Sequence, residues 1–384
     1  MNINATFQKS GLYIHIPFCV RKCPYCDFYS TTDRTLIPAF VNALAAEMAM
    51  RPAPEQVFDS VYIGGGTPSM LRERDISRIL ETAHRAFAIE KGAEITIEAN
   101  PGTISGNWLK GCRSAGINRI NLGVQSFNDA NLAFLGRIHT AGEAESALRT
   151  AEAAGFENIG LDLIYALPGQ TPENWRADIA AALEYTPAHL SCYMLTFESG
   201  TAMDADRIAG CFTVAPESRQ ASFFLQAREQ LLRHGYDHYE ISNYAHSSHG
   251  RSRHNSKYWN NAPYVGLGPA AHAYAEPVRS WNVRSTRDYI RMISAGILPI
   301  GETEILDLEQ QMIEAVYLGL RQADGIDYGI FHRRFGIDFL EMFSGVVGRF
   351  ANSGDLVADG RGCRLAAKGM LLHEAIAGVF IDAI

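Results

Sequence analysis

Tyr13-Ile14-His15-Ile16-Pro17-Phe18-Cys19-Val20-Arg21-Lys22-Cys23-Pro24-Tyr25-Cys26-Asp27-Phe28 places three cysteines, spaced C-x3-C-x2-C, directly after a short apolar run. The run 11–18 predicts a strand, with the cysteines in the loop that leaves it. Three thiolates this close can hold three irons of a [4Fe–4S] cluster, whereas a cluster ligated wholly by protein uses four cysteines. The shortfall leaves one iron open to a small molecule. Cys112, Cys192, Cys211 and Cys363 are scattered singly, so the triad reads as a motif.

Five further strand-like runs follow, at 58–64, 94–99, 117–125, 158–167 and 189–196. Helix-like segments at 35–50, 74–87, 105–115, 142–154 and 172–185 separate them. Near-continuous apolar strands alternating with helices indicate a parallel sheet with crossover helices, an α/β fold. Six such units make either an open doubly wound sheet or a partial (β/α)6 TIM-like barrel. Cys19, Gly64-Gly65-Gly66, Glu98, Gln125 and Asp162 recur where the strands end. In barrels that rim carries the chemistry, which favours the barrel.

A long helix-like run at 217–234 and a glycine-rich turn at 266–272 follow the sixth unit. Near residue 300 the pattern changes. Helices are predicted at 308–320 and 335–350, then a hairpin over 355–366 turning at Asp359-Gly360, then a helix at 368–377. This order predicts a core domain over 1–290 and a smaller C-terminal, winged-helix-like domain over 300–384. Glu302, Glu304, Asp307 and Glu309 make the start of that module acidic, so packing or partner contact is expected of it, ahead of DNA binding.

The formal net charge of −8 over 384 residues argues against nucleic acid as a partner, since phosphate binding needs a basic field. An odd cysteine count of 7 gives no disulfide framework. Residues 1–7 carry neither a basic start nor an apolar stretch, so no signal peptide is expected. No apolar run approaches the roughly 18 residues of a membrane span. A cytoplasmic location is the expectation.

The cysteine spacing resembles the signature of the radical S-adenosylmethionine (SAM) superfamily. That resemblance implies that SAM chelates the open iron and that one electron from the cluster cleaves it to a 5′-deoxyadenosyl radical. Gly64-Gly65-Gly66-Thr67-Pro68 stands where such proteins bind the SAM amino group. Tyr13 and His15, Glu98 in Thr96-Ile97-Glu98-Ala99-Asn100-Pro101, Gln125 before Ser126-Phe127, Arg137 before Ile138-His139 and Asp162 in Leu161-Asp162-Leu163 narrow the match. Together they resemble the oxygen-independent coproporphyrinogen oxidase family over nearly the whole chain. By that resemblance Tyr13, Tyr25, Gly65, Gly66, Thr67, Glu98, Gln125, Arg137 and Asp162 line the SAM site. Carboxylates there suit ribose hydroxyls and an ammonium, and an arginine suits a carboxylate.

Two branches of the family compete. The porphyrinogen-oxidising branch extends the triad to C-x3-C-x2-C-x-C; the fourth position here is Phe28. His254-Asn255-Ser256-Lys257-Tyr258-Trp259 instead matches the H-N-x-x-Y-W motif of a heme-chaperone branch. Heme needs an axial ligand, most often imidazole, with apolar walls and cations for its propionates. His254 is the candidate ligand, Tyr258 and Trp259 the aromatic wall, and Arg251 and Arg253 the cations; His246, His249 and His272 are rival ligands. The expected partners are heme and acceptor hemoproteins, including respiratory ones reached through peripheral contact with membrane proteins. The alternative is a radical SAM enzyme acting on a tetrapyrrole.

Overall fold

The computed structural model describes residues 9–51, 53–247 and 250–384. β1 (Ser10–Ile16), β2 (Ala53–Gly65), β3 (Phe87–Ala99), β4 (Arg119–Gln125), β5 (Asn158–Tyr165) and β6 (His189–Met194) pair parallel, each with the next in sequence. A doubly wound sheet reverses its strand order at a switch point; this order never reverses. Crossovers of one hand then put every connecting helix on the same face. The helices Ile37–Met50, Glu73–Ala86, Gly106–Ser114 and Ala141–Ala153 accordingly pack each against the next. The result is the partial barrel.

Strand parity explains what faces where. Leu12, Ile14, Ile63, Ile97, Leu122 and Leu161 are buried under the helices. The alternate positions carry polar groups into the interior. Glu98 stands opposite Asn121, and Asp162 opposite Ser191, in the register of neighbouring strands. Side chains of a strand alternate between faces, so one reading frame builds the apolar core and the other a polar layer.

The sheet runs on past both ends of this unit to twelve strands. β7 (Asp237–Glu240) and β8 (Asn243–Ala245) extend it antiparallel beyond β6. β9 (Tyr264–Leu267) lies parallel to β1 and leads into an antiparallel meander of β10 (His272–Ala275), β11 (Val278–Asn282) and β12 (Ile300–Ile305). Since β12 belongs to this sheet, residues 300–305 pack with the first unit.

The C-terminal part follows winged-helix order. The helix Leu308–Arg321, β13 (Ile326–Asp327), the helices Tyr328–Phe335 and Phe339–Asn352, and the hairpin of β14 (Leu356–Ala358) and β15 (Gly362–Leu365) succeed one another. The helix expected at 335–350 is Phe339–Asn352, and the helix Tyr328–Phe335 before it was not expected. Gly336 ends the earlier helix in the left-handed region at φ 72°, and the Asp338 carboxylate caps the later one by accepting from the Leu340 and Glu341 N–H groups. Rings of Phe331, Phe339, Phe343 and Phe380 lie 4.6 to 6.2 Å apart and form the local core. Among the described residues no helix is long and apolar enough to cross a membrane.

Candidate functional site

The cysteine loop is held in place before any ligand is considered. Its two ends are tied where Thr31 N–H donates to Pro17 O at 2.6 Å and Cys19 N–H to Thr31 O at 3.0 Å. Met203 N–H donates to Pro24 O at 2.9 Å, and Arg21 donates to Gly136 O at 2.5 Å. Cys19, Cys23 and Cys26 are free and half-buried. The Thr67 hydroxyl donates to Cys19 Sγ at 3.4 Å, and Arg137 Nη1 to Cys23 Sγ at 3.5 Å. Burial, aided by the charges of Cys23 and Cys19, pushes the Cys26 thiol up. Among the described residues no three His, Cys, Asp or Glu side chains converge on a single-ion site. An iron–sulfur cluster makes no such demand, because it spreads its thiolates over separate irons.

The glycines after β2 have a cause of their own. A Cβ on Gly66 would stand 2.9 Å from both Ile16 O and Phe18 O, and one on Gly65, at φ 107°, 2.5 Å from the His15 ring. Gly66 and Thr67 N–H donate to those two carbonyls at 2.8 Å. Glycine is therefore needed here to lay the end of β2 on the cysteine loop, apart from any approach by a ligand.

The sequence-predicted residues fall into two groups. In the first, Arg137 joins the cysteine loop to β4: it donates to Tyr25 OH at 3.3 Å and to Gly123 O at 2.7 Å. Gln125 sits at the same strand end with φ 70°. Gln125 Oε1 and Arg137 Nε are buried and lack hydrogen-bond partners. In the second group, Glu98 accepts from Tyr62 OH at 2.7 Å and Gly65 N–H at 3.1 Å, while Asp162 accepts from Asn121 Nδ2 at 2.7 Å. Both carboxylates line a cavity of about 50 Å³ inside the barrel. Burial pushes Glu98 up to about 7 and raises Asp162 as well. Tyr13 donates to, or accepts from, His15 Nδ1 at 3.1 Å beside them. Orphaned acceptor and donor atoms at the rim, carboxylates below it and donors already on two sulfurs fit a cluster with a polar, cationic ligand. Tyr62, Asn121 and Tyr193 also line this cavity and were missed from sequence. Their parity with Gly64, Gln125 and Ser191 along the same strands was the available signal.

His254 opens the helix Arg253–Trp259, which Ser252 caps, and is 1% exposed. Its Nδ1 bonds Ser60 Oγ at 3.0 Å and its Nε2 bonds Tyr258 OH at 2.9 Å. The ring also stacks on Tyr62 at 5.2 Å. Burial, with Lys257 adding to it, holds the imidazole neutral, down at about 3. Both nitrogens are engaged, and the bond to Ser60 ties the helix to β2. Arg251 pairs with Asp237 and Asp324, and Arg253 donates to Asp59 O and Gly92 O; neither is free for a propionate. The Arg321 guanidinium covers Trp259 at 4.4 Å. His246 is exposed against Tyr236, His272 is exposed and stacks on Trp281, and His249 lies outside the described residues. Of the motif, Asn255 lines the first cavity, and Tyr258 faces a second of about 370 Å³ between the meander and the helix Leu308–Arg321.

Residues 13–182 match the family model of the radical SAM superfamily, and residues 306–372 that of the HemN C-terminal domain. The solved coproporphyrinogen III oxidase HemN of Escherichia coli superposes with a TM-score of 0.84 at 22% identity, covering 98% of this chain and 91% of that one. This likeness concerns the fold. The class is a radical SAM protein with a HemN-type C-terminal domain, and that class implies a [4Fe–4S] cluster and SAM as cofactors. The heme chaperone HemW of Bacillus subtilis is 32% identical over 96% of this chain and 98% of its own. The HemW of Synechocystis is 37% identical over 85% and 82%, and that of Escherichia coli 38% over 68% and 69%. The chain belongs to the HemW family.

Proposed function

We propose that this protein binds heme and hands it to acceptor hemoproteins, and that it carries a [4Fe–4S] cluster on Cys19, Cys23 and Cys26 with SAM at the open iron. Tyr25, Thr67, Gln125 and Arg137 hold SAM and cluster at the rim, while Tyr13, Gly65, Gly66, Glu98 and Asp162 complete the pocket beneath. The bound cluster supplies single electrons for SAM cleavage. The chain's own part is to orient the ligand and to set carboxylates against its positive charge. Acceptors include respiratory hemoproteins, reached from the cytoplasm by peripheral contact with their membrane-bound forms.

The observation that supports heme carriage over porphyrinogen oxidation is Phe28. It is 66% exposed and stands where the oxidising branch has a fourth cysteine; a phenyl ring ligates no iron. Heme titration of the anaerobically reconstituted protein, run beside a coproporphyrinogen III assay, tests the proposal. About one heme should bind per chain, with no protoporphyrinogen IX formed. Robust conversion without heme binding would assign the enzyme instead.

A further inference from the structure

The motif helix Arg253–Trp259 packs against β1 and β2. Ser60, Tyr62 and Gly64 share one face of β2, and Gly11, Tyr13 and His15 stand opposite them on β1. Glu94 and Thr96 continue that face on β3, two and four residues before Glu98. Gly11 leaves the helix room: a Cβ there would stand 2.9 Å from Lys257 Cδ and 3.0 Å from the His254 ring. Two carboxylates then fix the helix. Glu94 accepts from the Arg253 and His254 N–H groups at 3.1 Å each, and Asp59 pairs with Lys257 at 2.6 Å. The His254 imidazole is thereby delivered to one place on the inner face of the sheet.

At that place it joins two tyrosines. The His254 ring lies 5.2 Å from Tyr62 and 6.3 Å from Tyr13, those two lie 6.3 Å apart, and the three planes are within 30° of one another. The tyrosine hydroxyls lead on to the SAM pocket: Tyr13 OH meets His15 Nδ1 at 3.1 Å, and Tyr62 OH donates to Glu98 Oε1 at 2.7 Å. A Cβ on Gly64 would stand 2.8 Å from the Tyr62 ring and 3.0 Å from the Glu98 carboxyl, so glycine opens the gap in which they meet. Asn255, the next residue of the motif, lines the cavity that Glu98 and Asp162 also line. A ring packed against other rings keeps its hydroxyl in one direction, whereas a ring given space swings and carries its hydrogen bond with it.

We infer that His254 is a positioning residue of the SAM pocket: its flat ring holds Tyr62, and Tyr62 holds the Glu98 carboxyl where it meets SAM. The inference rests on SAM binding at the open iron, proposed above, and gives the motif a part in it. The ring does this, and its two hydrogen bonds do not. They run to Ser60 and Tyr258, and neither reaches Tyr62 or Glu98.

Calorimetry of SAM binding to the full, anaerobically reconstituted chain tests this. Tyr62→Phe, which removes the donor to Glu98, should weaken SAM by about ten-fold, and so should His254→Gln, which removes the flat ring. His254→Phe keeps a ring against Tyr62 and should stay within about three-fold of wild type, although it loses both hydrogen bonds and some stability with them. Tyr62→Phe combined with His254→Gln should bind no more weakly than Tyr62→Phe alone, because both changes act through one contact. Unfolding midpoints and iron content check that each variant is folded and holds its cluster. Should His254→Gln fail either check, Gly11→Ala, whose Cβ presses on the His254 ring, replaces it in the cycle. Equal losses in His254→Gln and His254→Phe, no loss in either, or losses that add in the double variant would overturn the positioning role and leave SAM binding standing. A wild type that binds no SAM would sink both.

Discussion

Glu98→Gln should make the cofactor-free chain less stable near pH 4 and more stable near pH 8, crossing over between. The folded carboxyl titrates at about 7, chiefly because it is buried; unfolded it would titrate near about 4.3. Between those values the folded state holds a proton that the unfolded state has released. Stability therefore falls as pH rises through the window, and the penalty is complete above about pH 7. A displacement of that size is worth about 4 kcal/mol. Glu98 retains some exposure at the rim, and screening trims the figure to about 2 kcal/mol. Glutamine keeps one acceptor oxygen where Glu98 uses two, for Tyr62 OH and Gly65 N–H; the lost bond costs about 1 kcal/mol. The variant should thus lose about 1 kcal/mol near pH 4 and gain about 1 kcal/mol near pH 8. Urea unfolding followed by circular dichroism, repeated across this range, reads the difference. Parallel wild-type and variant curves would refute the claim that Glu98 is held against its own ionisation.

The same titration should appear in binding. SAM affinity of the reconstituted wild type should rise by up to about ten-fold between pH 6 and 8 as Glu98 ionises, a rise that calorimetry should find missing in Glu98→Gln. Cys23→Ser should strip most iron and sulfide after reconstitution, whereas Cys112→Ser and Cys211→Ser should keep both; full iron in the Cys23 variant would break the cluster assignment. Gly65→Ala should cost at least about 2 kcal/mol with no SAM present, since it combines φ 107° with a Cβ 2.5 Å from His15. Wild-type stability in that variant would mean that the strand end does not need glycine.

The six parallel strands and their crossover helices were legible because apolar runs of strand length alternate with helical periodicity from β1 to β6. Cys19, Gly65, Glu98 and Gln125 were legible for the same reason, standing where their runs end, whereas Asp162 lies within β5. β7 to β12 were not legible. Asn243–Ala245 and His272–Ala275 are short and mixed in polarity, and they become strands only through the neighbours they pair with. The helix Tyr328–Phe335 was not legible, being only 8 residues long. The surroundings of His254 were not legible, because a motif gives residue types without directions. Ser60, from β2, takes its Nδ1, and Tyr258, one turn along its own helix, takes its Nε2.

Transfer tests the central claim most directly. The reconstituted, heme-loaded protein is mixed with an apo-hemoprotein, and the acceptor's own Soret band and activity are followed against free heme at equal concentration. Heme should leave this protein in a stoichiometric amount and the acceptor should become active in a protein-dependent manner. An acceptor that fills no faster from the loaded protein than a competing heme scavenger allows, or a protein that converts coproporphyrinogen III while holding no heme, would contradict heme carriage.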